Sequence, residues 1–229
     1  MLFRQLFDVK SSTYTYILAS DYGREALIID PVLDHLCLYA RLLKEWQLKL
    51  VITLDTHTHA DHITCSGSLH QQYRCPIAMG EYTRAEFVTL TLKEGDHLDL
   101  DGISLDVLYT PGHTNDSYSF LMKDRVFTGD TLLIRGTGRT DFQEGDPYKQ
   151  YDSLFNKLLM LPEETLIYPA HNYEGITTST IGEEKRYNPR LQVSSAKEYA
   201  NMMNMLHLDR PKMMAIAVPA NLRCGLNDN

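Results

Sequence analysis

Residues 56–62 read Thr56-His57-Thr58-His59-Ala60-Asp61-His62, and they directly follow the apolar stretch 48–54. Three imidazoles and one carboxylate therefore stand at the end of a predicted strand. Imidazole binds zinc, copper, iron and nickel, and a carboxylate adds a hard oxygen donor. A loop that is rich in histidine by chance is the alternative, and further ligand-type residues along the chain disfavour it. The run predicts a metal site.

Three more ligand-type residues stand in turns of the same kind. They are His113 after Pro111-Gly112, Asp130 after Gly129, and His171 after Pro169-Ala170. Each turn follows a short apolar run of strand type, at 105–108, 126–127 and 166–168. Loops at strand ends on a rigid sheet commonly carry chemistry. We therefore expect these residues to belong to the same site as the histidine run.

Composition limits the classes of protein that the chain can represent. The 229 residues predict one large domain, and 43% hydrophobic with 23% charged residues is typical of a globular enzyme. No apolar run approaches the ~20 residues of a membrane helix, and the N-terminus lacks a signal-peptide pattern, so we expect a cytoplasmic protein without membrane contacts. The net charge of −8 disfavours nucleic acid as a partner.

The cysteine pattern predicts reduced thiols. The four cysteines have no Cys-x-x-Cys spacing and are too few for a disulfide scaffold in a chain of this length. Cys65 lies three residues after His62, and we interpret it as a buried packing thiol.

Hydrophobic periodicity predicts the order of strands and helices. Predicted strands cover 1–7, 13–19, 25–30, 48–54, 76–79, 97–100 and 103–108, and the second and third of these form a hairpin through the turn at 21–24. Predicted helices cover 31–47, 66–73, 147–161 and 194–206.

The ordered ligand pattern resembles the metallo-β-lactamase superfamily. The residues that carry the resemblance are His57, His59, Asp61, His62, His113, Asp130 and His171, in this order. The resemblance implies an α/β fold of the α+β type, a four-layer αβ/βα sandwich. Two mixed sheets would face each other with helices outside and the metal site at one edge. It also implies a single domain over 1–229, with a short C-terminal helical extension from about 175.

One member of the superfamily, glyoxalase II, hydrolyses thioesters such as S-lactoylglutathione at two metal ions. By that resemblance, His57, His59, His113 and Asp130 would bind one ion. Asp61, His62, His171 and a bridging Asp130 would bind the other. Ligand residues by themselves leave this alternative open, because the superfamily hosts many reactions.

Segments around the ligands are similar to persulfide dioxygenase, the family of the ethylmalonic encephalopathy protein. They are 58–64 (Thr-His-Ala-Asp-His-Ile-Thr), 129–143, which includes Arg135-Gly136-Thr137-Gly138-Arg139, and 217–225 in the tail. This resemblance implies one non-haem Fe(II) held by the catalytic ligands His57, His113 and Asp130, with positions open for O₂ and substrate sulfur. His59, Asp61, His62 and His171 would then orient the ligands.

The same resemblance implies the reaction and its partners. Glutathione persulfide, O₂ and water would give sulfite and glutathione, with no organic cofactor, as a step of hydrogen sulfide metabolism. Iron fits this role, and zinc does not, because zinc has no redox chemistry. A separate rhodanese or sulfide-oxidising enzyme would supply the persulfide. Exposed strand edges and the resemblance favour a homodimer.

Glutathione carries carboxylates, for which arginine is the natural partner. The candidate substrate-binding residues are Arg190, Arg139, Tyr173 and Arg223. Arg139 has a structural alternative, as a tie within the loop after Asp130.

Two positions depart from the family pattern. Thr137 stands where a cysteine is often seen, and Asn172 follows His171 where an aspartate is common. The missing carboxylate beside His171 is expected to alter iron affinity or redox tuning more than the reaction class.

A remote alternative is a non-catalytic metal-binding protein. Structural zinc sites are normally closed by four ligands, often cysteines, whereas this set offers surplus histidine and aspartate.

Overall fold

The structure is a computed structural model, and it describes residues 1–226. The strands of this part are β1 (Leu2–Asp8), β2 (Thr13–Ala19), β3 (Glu25–Ile29), β4 (Lys49–Leu54), β5 (Ile77–Gly80), β6 (Leu90–Leu92), β7 (His97–Leu100), β8 (Ile103–Tyr109), β9 (Tyr118–Leu121), β10 (Arg125–Gly129), β11 (Leu166–Pro169) and β12 (Ser179–Thr180). The α-helices are α1 (Leu36–Glu45), α2 (Ser66–Tyr73), α3 (Pro147–Phe155), α4 (Ile181–Tyr187), α5 (Ala196–Asn204) and α6 (Met214–Asn221).

The chain divides into two compact units. The first unit contains Met1–Leu92, His97–Ser104 and the tail from Arg210. The second contains Lys93–Asp96 and Leu105–Asp209.

The sheet of the first unit has six strands in the order β1-β2-β3-β4-β5-β6. The pairs β1·β2 and β2·β3 are antiparallel, and the pairs from β3 to β6 are parallel. Ile29 of β3 is level with Leu54 of β4. Because parallel strands end at the same edge of a sheet, the next residues of both strands, Asp30 and Asp55, start at one edge.

Helices α1 and α2 pack on this sheet through one hydrophobic cluster. Tyr39 and Leu43 of α1 are buried with Ile17 and Ile28 of the sheet and Leu69 of α2. Burial of such a side chain stabilises the fold by about 1.5–3 kcal/mol. This hydrophobic cluster therefore stabilises the sheet whose strands β3 and β4 end at Asp30 and Asp55.

The second unit contains a sheet with the order β12-β11-β10-β9-β8. Strands β10 and β11 are parallel, with Gly129 paired to Pro169, whereas β9 is antiparallel to both β8 and β10. Strands β8, β10 and β11 therefore run in one direction and end at one edge. Each of them is followed by one of the predicted ligands, His113, Asp130 and His171.

The core of the second unit joins this sheet to α3 and α5. Val126 and Ile167 of the sheet are buried with Leu154 of α3 and with Tyr199 and Met203 of α5. These two helices thereby lie over the strands that present the predicted ligands.

Most predicted elements are confirmed, with two corrections. The helix predicted over 147–161 ends at Phe155, because Lys157 leaves helical geometry at φ −124° and ψ −74°, and a 3₁₀ turn follows at Leu158–Met160. The helix predicted from 31 begins at Leu36, after a 3₁₀ turn at Leu33–His35.

Elements that the sequence did not predict are short or lack a clear period. They are β6, β9, β12, α4 and α6. The four cysteines are free thiols, and Cys65 is buried as predicted. Among residues 1–226, none of the helices has the length and apolar character that crossing a membrane requires. The single-domain boundary over 1–229 stays a prediction.

Candidate metal centre

The loop that follows β4 is fixed by Asp30, the residue after β3. Asp30 is 1% exposed, and its carboxylate accepts hydrogen bonds from Thr56 N at 2.7 Å, Thr56 Oγ1 at 3.0 Å and His59 Nε2 at 3.0 Å. Its φ of +50° lies in the left-handed region, which aspartate tolerates better than most residues. One buried carboxylate thus positions the residues on both sides of His57.

The contact of His57 with Thr56 fixes the proton on the His57 ring. His57 Nδ1 lies 3.0 Å from Thr56 Oγ1, and that hydroxyl gives its only hydrogen to Asp30. The hydroxyl must therefore accept from His57 Nδ1–H. The proton on Nδ1 leaves Nε2 as the basic nitrogen, the form in which histidine binds a metal.

His59 is buried beside carboxylates that favour its protonated form. Burial by itself lowers the pKa of His59, but the charge and hydrogen bond of Asp30, with the charges of Asp61 and Asp55, outweigh it and raise the pKa to about 9. Burial raises the pKa of Asp55, whose carboxylate accepts from Thr64 Oγ1 at 2.8 Å and from Ser66 Oγ at 2.7 Å. A metal bound at His59 Nδ1 would have to displace a proton that Asp30 and its neighbours stabilise.

Asp61 and His62 form a pair at the end of the same loop. Asp61 Oδ2 accepts from His62 Nδ1 at 2.9 Å and from Thr13 Oγ1 at 2.9 Å. Suitable donor atoms of His59, Asp61 and His62 lie within 4.8 Å of one another. His59 Nδ1 and His62 Nε2 are buried and make no hydrogen bond in the described structure. A cation bound between these rings would satisfy both nitrogens once His59 Nδ1 has lost its proton.

Asn221, in the tail, holds the histidine loop through its side-chain amide. Its Nδ2 donates to the carbonyl oxygens of His59 at 2.9 Å and His62 at 2.8 Å, and its Oδ1 accepts from Thr64 N at 2.9 Å. The Asn221 side chain is 3% exposed. A residue 157 to 162 positions away therefore sets the path of the loop.

In the second unit, His113 is oriented by a backbone carbonyl. Its Nδ1 lies 2.7 Å from the Arg139 carbonyl oxygen, and because a carbonyl can only accept, Nδ1 carries the proton. His113 Nε2 lies 3.5 Å from Asp130 Oδ2. Two donors that bind one ion at about 2.1 Å lie roughly 3.0–3.4 Å apart when the angle at the ion is about 90–110°. The observed distance lies just above this range and corresponds to an angle of about 113° at an ion, so the two atoms can bind one ion.

The other oxygen of Asp130 is hydrogen-bonded to His171. His171 Nδ1 lies 2.6 Å from Asp130 Oδ1, and the ring is 2% exposed. Because a carboxylate only accepts, His171 is the donor. The Asp130 carboxylate then presents Oδ2 to an ion while Oδ1 is fixed by His171, as expected of a ligand with an orienting partner.

Two of the predicted substrate-binding residues lie close to the ligand turns of the second unit. Tyr173 is 75% exposed, and its ring stacks at 6.1 Å on that of His171. Arg190 donates to the carbonyl oxygen of Thr137, and at 3.3 Å to the Thr137 hydroxyl. Burial lowers the pKa of Arg190.

Arg139 serves as a structural tie. Its guanidinium binds both carboxylate oxygens of Asp141, at 2.6 and 2.7 Å, and the carbonyl oxygens of Leu208 and Asp209. The hydrogen bond to Asp141 raises the pKa of Arg139. This geometry favours the structural alternative stated above. Arg223 lies in the first unit, 3.4 Å from Glu86, and stacks over the Phe87 ring at 5.3 Å.

The two departures from the family pattern both make hydrogen bonds. Asn172 Oδ1 accepts from the backbone of Glu174 at 2.9 Å and of Ile176 at 2.8 Å, which closes the loop after His171. Thr137 is buried and uses its hydroxyl within a hydrogen-bonded cluster with Tyr199.

Sequence reasoning missed Asp30 and Asn221. Asp30 could have been found, because it ends a predicted strand directly before Pro31 and faces the same sheet edge as Asp55. Asn221 stands inside the family-like tail segment, but no local pattern reveals which distant carbonyls it binds.

Comparison with known proteins places the chain in a family. The model of the metallo-beta-lactamase superfamily matches residues 10–171. The mitochondrial persulfide dioxygenases ETHE1 of Mus musculus and Homo sapiens are 44% and 43% identical over 229 residues, which cover 99% of this chain and 89% of each relative. The crystal structure of ETHE1 from Myxococcus xanthus is 47% identical, with a TM-score of 0.96 over 99% of this chain and 100% of that one.

The fold and the ordered ligand residues define a metallo-beta-lactamase superfamily protein, as the sequence predicted. Within that superfamily, the chain belongs to the persulfide dioxygenase family.

Proposed function

We propose that this protein oxidises the terminal sulfur of a persulfide with O₂ and water. The observation that carries the proposal is 43–44% identity to named persulfide dioxygenases over 99% of this chain and 89% of each relative. The reaction balances as one persulfide, one O₂ and one water giving one thiol, one sulfite and two protons. Glutathione persulfide is the proposed substrate, and glutathione is the thiol released.

The proposed cofactor is one Fe(II) per chain, bound by His57, His113 and Asp130. The two histidines carry their protons on Nδ1, so each would bind through Nε2. The donor set of two imidazoles and one carboxylate suits non-haem iron that activates O₂. Bound iron would supply the one-electron chemistry that couples O₂ to sulfur, which the side chains themselves lack.

The protein's own residues would orient the ligands and retain protons at defined atoms. His171 donates to Asp130 and leaves one carboxylate oxygen for the ion. Asp30 holds the proton of His59 Nε2 and, through Thr56, directs the His57 ring. Because these groups are buried, their hydrogen bonds are strengthened by the low local dielectric.

Substrate contacts belong to the same proposal. Tyr173 is the best-placed group, because it is exposed and stacks on His171. Arg190 would add positive charge for a glutathione carboxylate, although its guanidinium also binds the Thr137 backbone. Arg139 and Arg223 are weaker candidates because each is already paired with a carboxylate.

A dinuclear thioester hydrolase of the glyoxalase II type is the second candidate function. It is favoured by the orphaned nitrogens of His59 and His62, which lie with Asp61 in one group. The hydrogen bond from His171 to Asp130 Oδ1 argues against a second ion, because a bridging carboxylate would need that oxygen. A cytoplasmic location, a homodimer and a separate persulfide-supplying enzyme stay predictions.

The test is elemental analysis of anaerobically purified protein, combined with O₂ uptake on addition of glutathione persulfide. We expect about one iron per chain and rapid uptake, and the variant His113→Ala should lose both. The exposed His207→Ala is the matched control and should retain both. About two zinc ions with S-lactoylglutathione cleavage would support the hydrolase, and bound metal without either turnover would support a non-catalytic protein.

A further inference from the structure

A closed hydrogen-bond circuit lies beneath the turn that orients His113. The Gln150 side chain donates from Nε2 to the Gly138 carbonyl oxygen at 3.1 Å, so its Oε1 faces the Tyr199 hydroxyl at 2.8 Å. The Tyr199 hydroxyl donates to Gln150 Oε1, which can only accept, and shares its single hydrogen with Thr137 Oγ1 at 3.0 Å. Thr137 Oγ1 in turn donates to Met203 Sδ at 3.8 Å. The circuit therefore begins and ends on adjacent residues, Thr137 and Gly138.

The members of this circuit are completely buried. Tyr199 of α5 and Gln150 of α3 are each 0% exposed, and Thr137 is 2% exposed. The Arg190 guanidinium donates to the Thr137 carbonyl oxygen and so holds the segment from a third side. Buried polar groups that are all satisfied make a rigid arrangement, whereas the loss of one partner leaves the others unpaired.

The segment held by the circuit is in direct contact with His113. A Cβ added to Gly138 would lie 2.7 Å from His113 Nδ1, so the backbone of Gly138 packs against the imidazole with no space to spare. The next carbonyl oxygen, that of Arg139, lies 2.7 Å from His113 Nδ1. Fixing the Gly138 carbonyl through Gln150 fixes the peptide plane that leads into Arg139.

We propose that Tyr199 is a positioning residue for His113. Its hydroxyl would act through Gln150 and Thr137 to hold the Arg139 carbonyl where it accepts the Nδ1 proton of the imidazole. This inference rests on the proposed function only in taking His113 as an iron ligand. Removal of the hydroxyl would let the imidazole tilt and change the ligand field of the ion, while Arg190 and Tyr173 stay in place for substrate.

The test compares Tyr199→Phe and Thr137→Val, which lose one hydroxyl each, with Thr137→Ser, which keeps it. Tyr151→Phe is the matched control, because the Tyr151 ring packs 6.0 Å from that of Tyr199. We expect the first two variants to lose about 10-fold in kcat on glutathione persulfide with KM nearly unchanged. They should also shift the visible absorption of Co(II)-substituted protein. The serine variant and the control should match the parent, and the double variant should be no worse than either single one, since both break one circuit.

A second readout uses metal-free protein and separates this inference from the proposed function. We expect Tyr199→Phe to weaken the His113 Nδ1–H hydrogen bond, seen as a changed ¹⁵N shift of that nitrogen. If the parent takes up no O₂ with persulfide, the proposed function fails while this readout still decides the positioning role. Unchanged kcat, Co(II) spectrum and ¹⁵N shift in Tyr199→Phe would overturn the inference. Equal losses in Thr137→Ser and Thr137→Val would overturn it as well.

Discussion

The Nδ1 proton of His57 goes to a threonine hydroxyl, whereas that of His113 goes to a backbone carbonyl. Both partners accept the Nδ1 proton and leave Nε2 to face an ion. His59 differs, because its Nε2 faces the Asp30 carboxylate, which raises the pKa of the ring. The hydrogen-bond partner of the ring therefore distinguishes the proposed iron ligands His57 and His113 from His59, which is proposed to orient them.

Gly138→Ala tests the close packing around His113. The new Cβ would lie 2.3 Å from the Asp130 carbonyl oxygen and 2.7 Å from His113 Nδ1, so backbone and ligand must both move. We expect a loss of about 1–3 kcal/mol in the free energy of unfolding and a clear fall in metal content. Urea unfolding and elemental analysis measure the two effects.

Gly136→Ala is the control for that substitution. Its new Cβ would meet only Leu133 Cβ, at 3.9 Å, which is an ordinary contact. We expect metal content to stay at the parental value. Equal metal content in the two alanine variants would contradict the role of Gly138.

The raised pKa of His59 predicts a pH dependence of the metal-free protein. A histidine whose folded pKa is about 9, above its ordinary 6.5, stabilises the fold fully below pH 6.5, and this contribution is lost as the pH rises through 9. At about 1.4 kcal/mol per pKa unit, the contribution is of the order of 3 kcal/mol. Urea unfolding at pH 6.5, 8 and 9.5 should show the decline, and His59→Gln should flatten it. A parallel decline in both proteins would assign the effect to other groups.

The sequence predicted where the candidate ligands stand because strand ends have a local signal. An apolar run followed by Pro or Gly ends a strand, and β8, β10 and β11 each end in this way before a ligand. Hydrophobic periodicity of the helical type likewise predicted α1, α2 and α5. These features depend only on residues close in sequence.

Features that depend on distant residues escaped prediction. Asn221 lies 162 positions from His59, and Tyr199 lies 62 positions from Thr137. The sequence around Asn221 or Tyr199 does not indicate which distant residue it binds. Helix α6 was missed because Pro219 lies inside it and its apolar residues have no clear helical period. Hydrogen bonds between residues so far apart in sequence form only in the folded chain, so a local pattern cannot predict them.

Asn221→Ala tests the link between α6 and the histidine loop. The change leaves the carbonyl groups of His59 and His62 and the Thr64 amide without their partner. We expect a loss of about 2–3 kcal/mol in the free energy of unfolding, because buried polar groups left unpaired cost about 1–3 kcal/mol each and the loop relaxes in part. We also expect weaker metal retention during dialysis against a chelator.

Asn201→Ala, on the exposed side of α5, is the control for asparagine removal. It should change stability by less than about 0.5 kcal/mol. If Asn221→Ala unfolds at the parental urea concentration and keeps its metal, the tail does not hold the loop.

An ion that binds only the folded chain adds to the stability of the protein by mass action. The chain carries a net charge of −8, and a divalent cation offsets part of this charge as well as the local charge of Asp130. Stabilisation by an ion requires only ligands of suitable geometry, whereas turnover also requires an ion with the right chemistry. The choice of metal can therefore be used to separate them.

Reconstitution of metal-free protein with Fe(II) or Zn(II) under anaerobic conditions should make that separation. Either ion, at 100 times its dissociation constant, stabilises by about 2.7 kcal/mol, which for a chain of this size raises Tm by about 5–10 °C. Only the iron form should consume O₂ with glutathione persulfide, because zinc offers no redox chemistry. His113→Ala should lose the Tm gain with both ions. Rapid O₂ uptake by the zinc form, verified free of iron, would contradict an iron-dependent dioxygenase, whereas a Tm gain retained in His113→Ala would exclude His113 as a ligand.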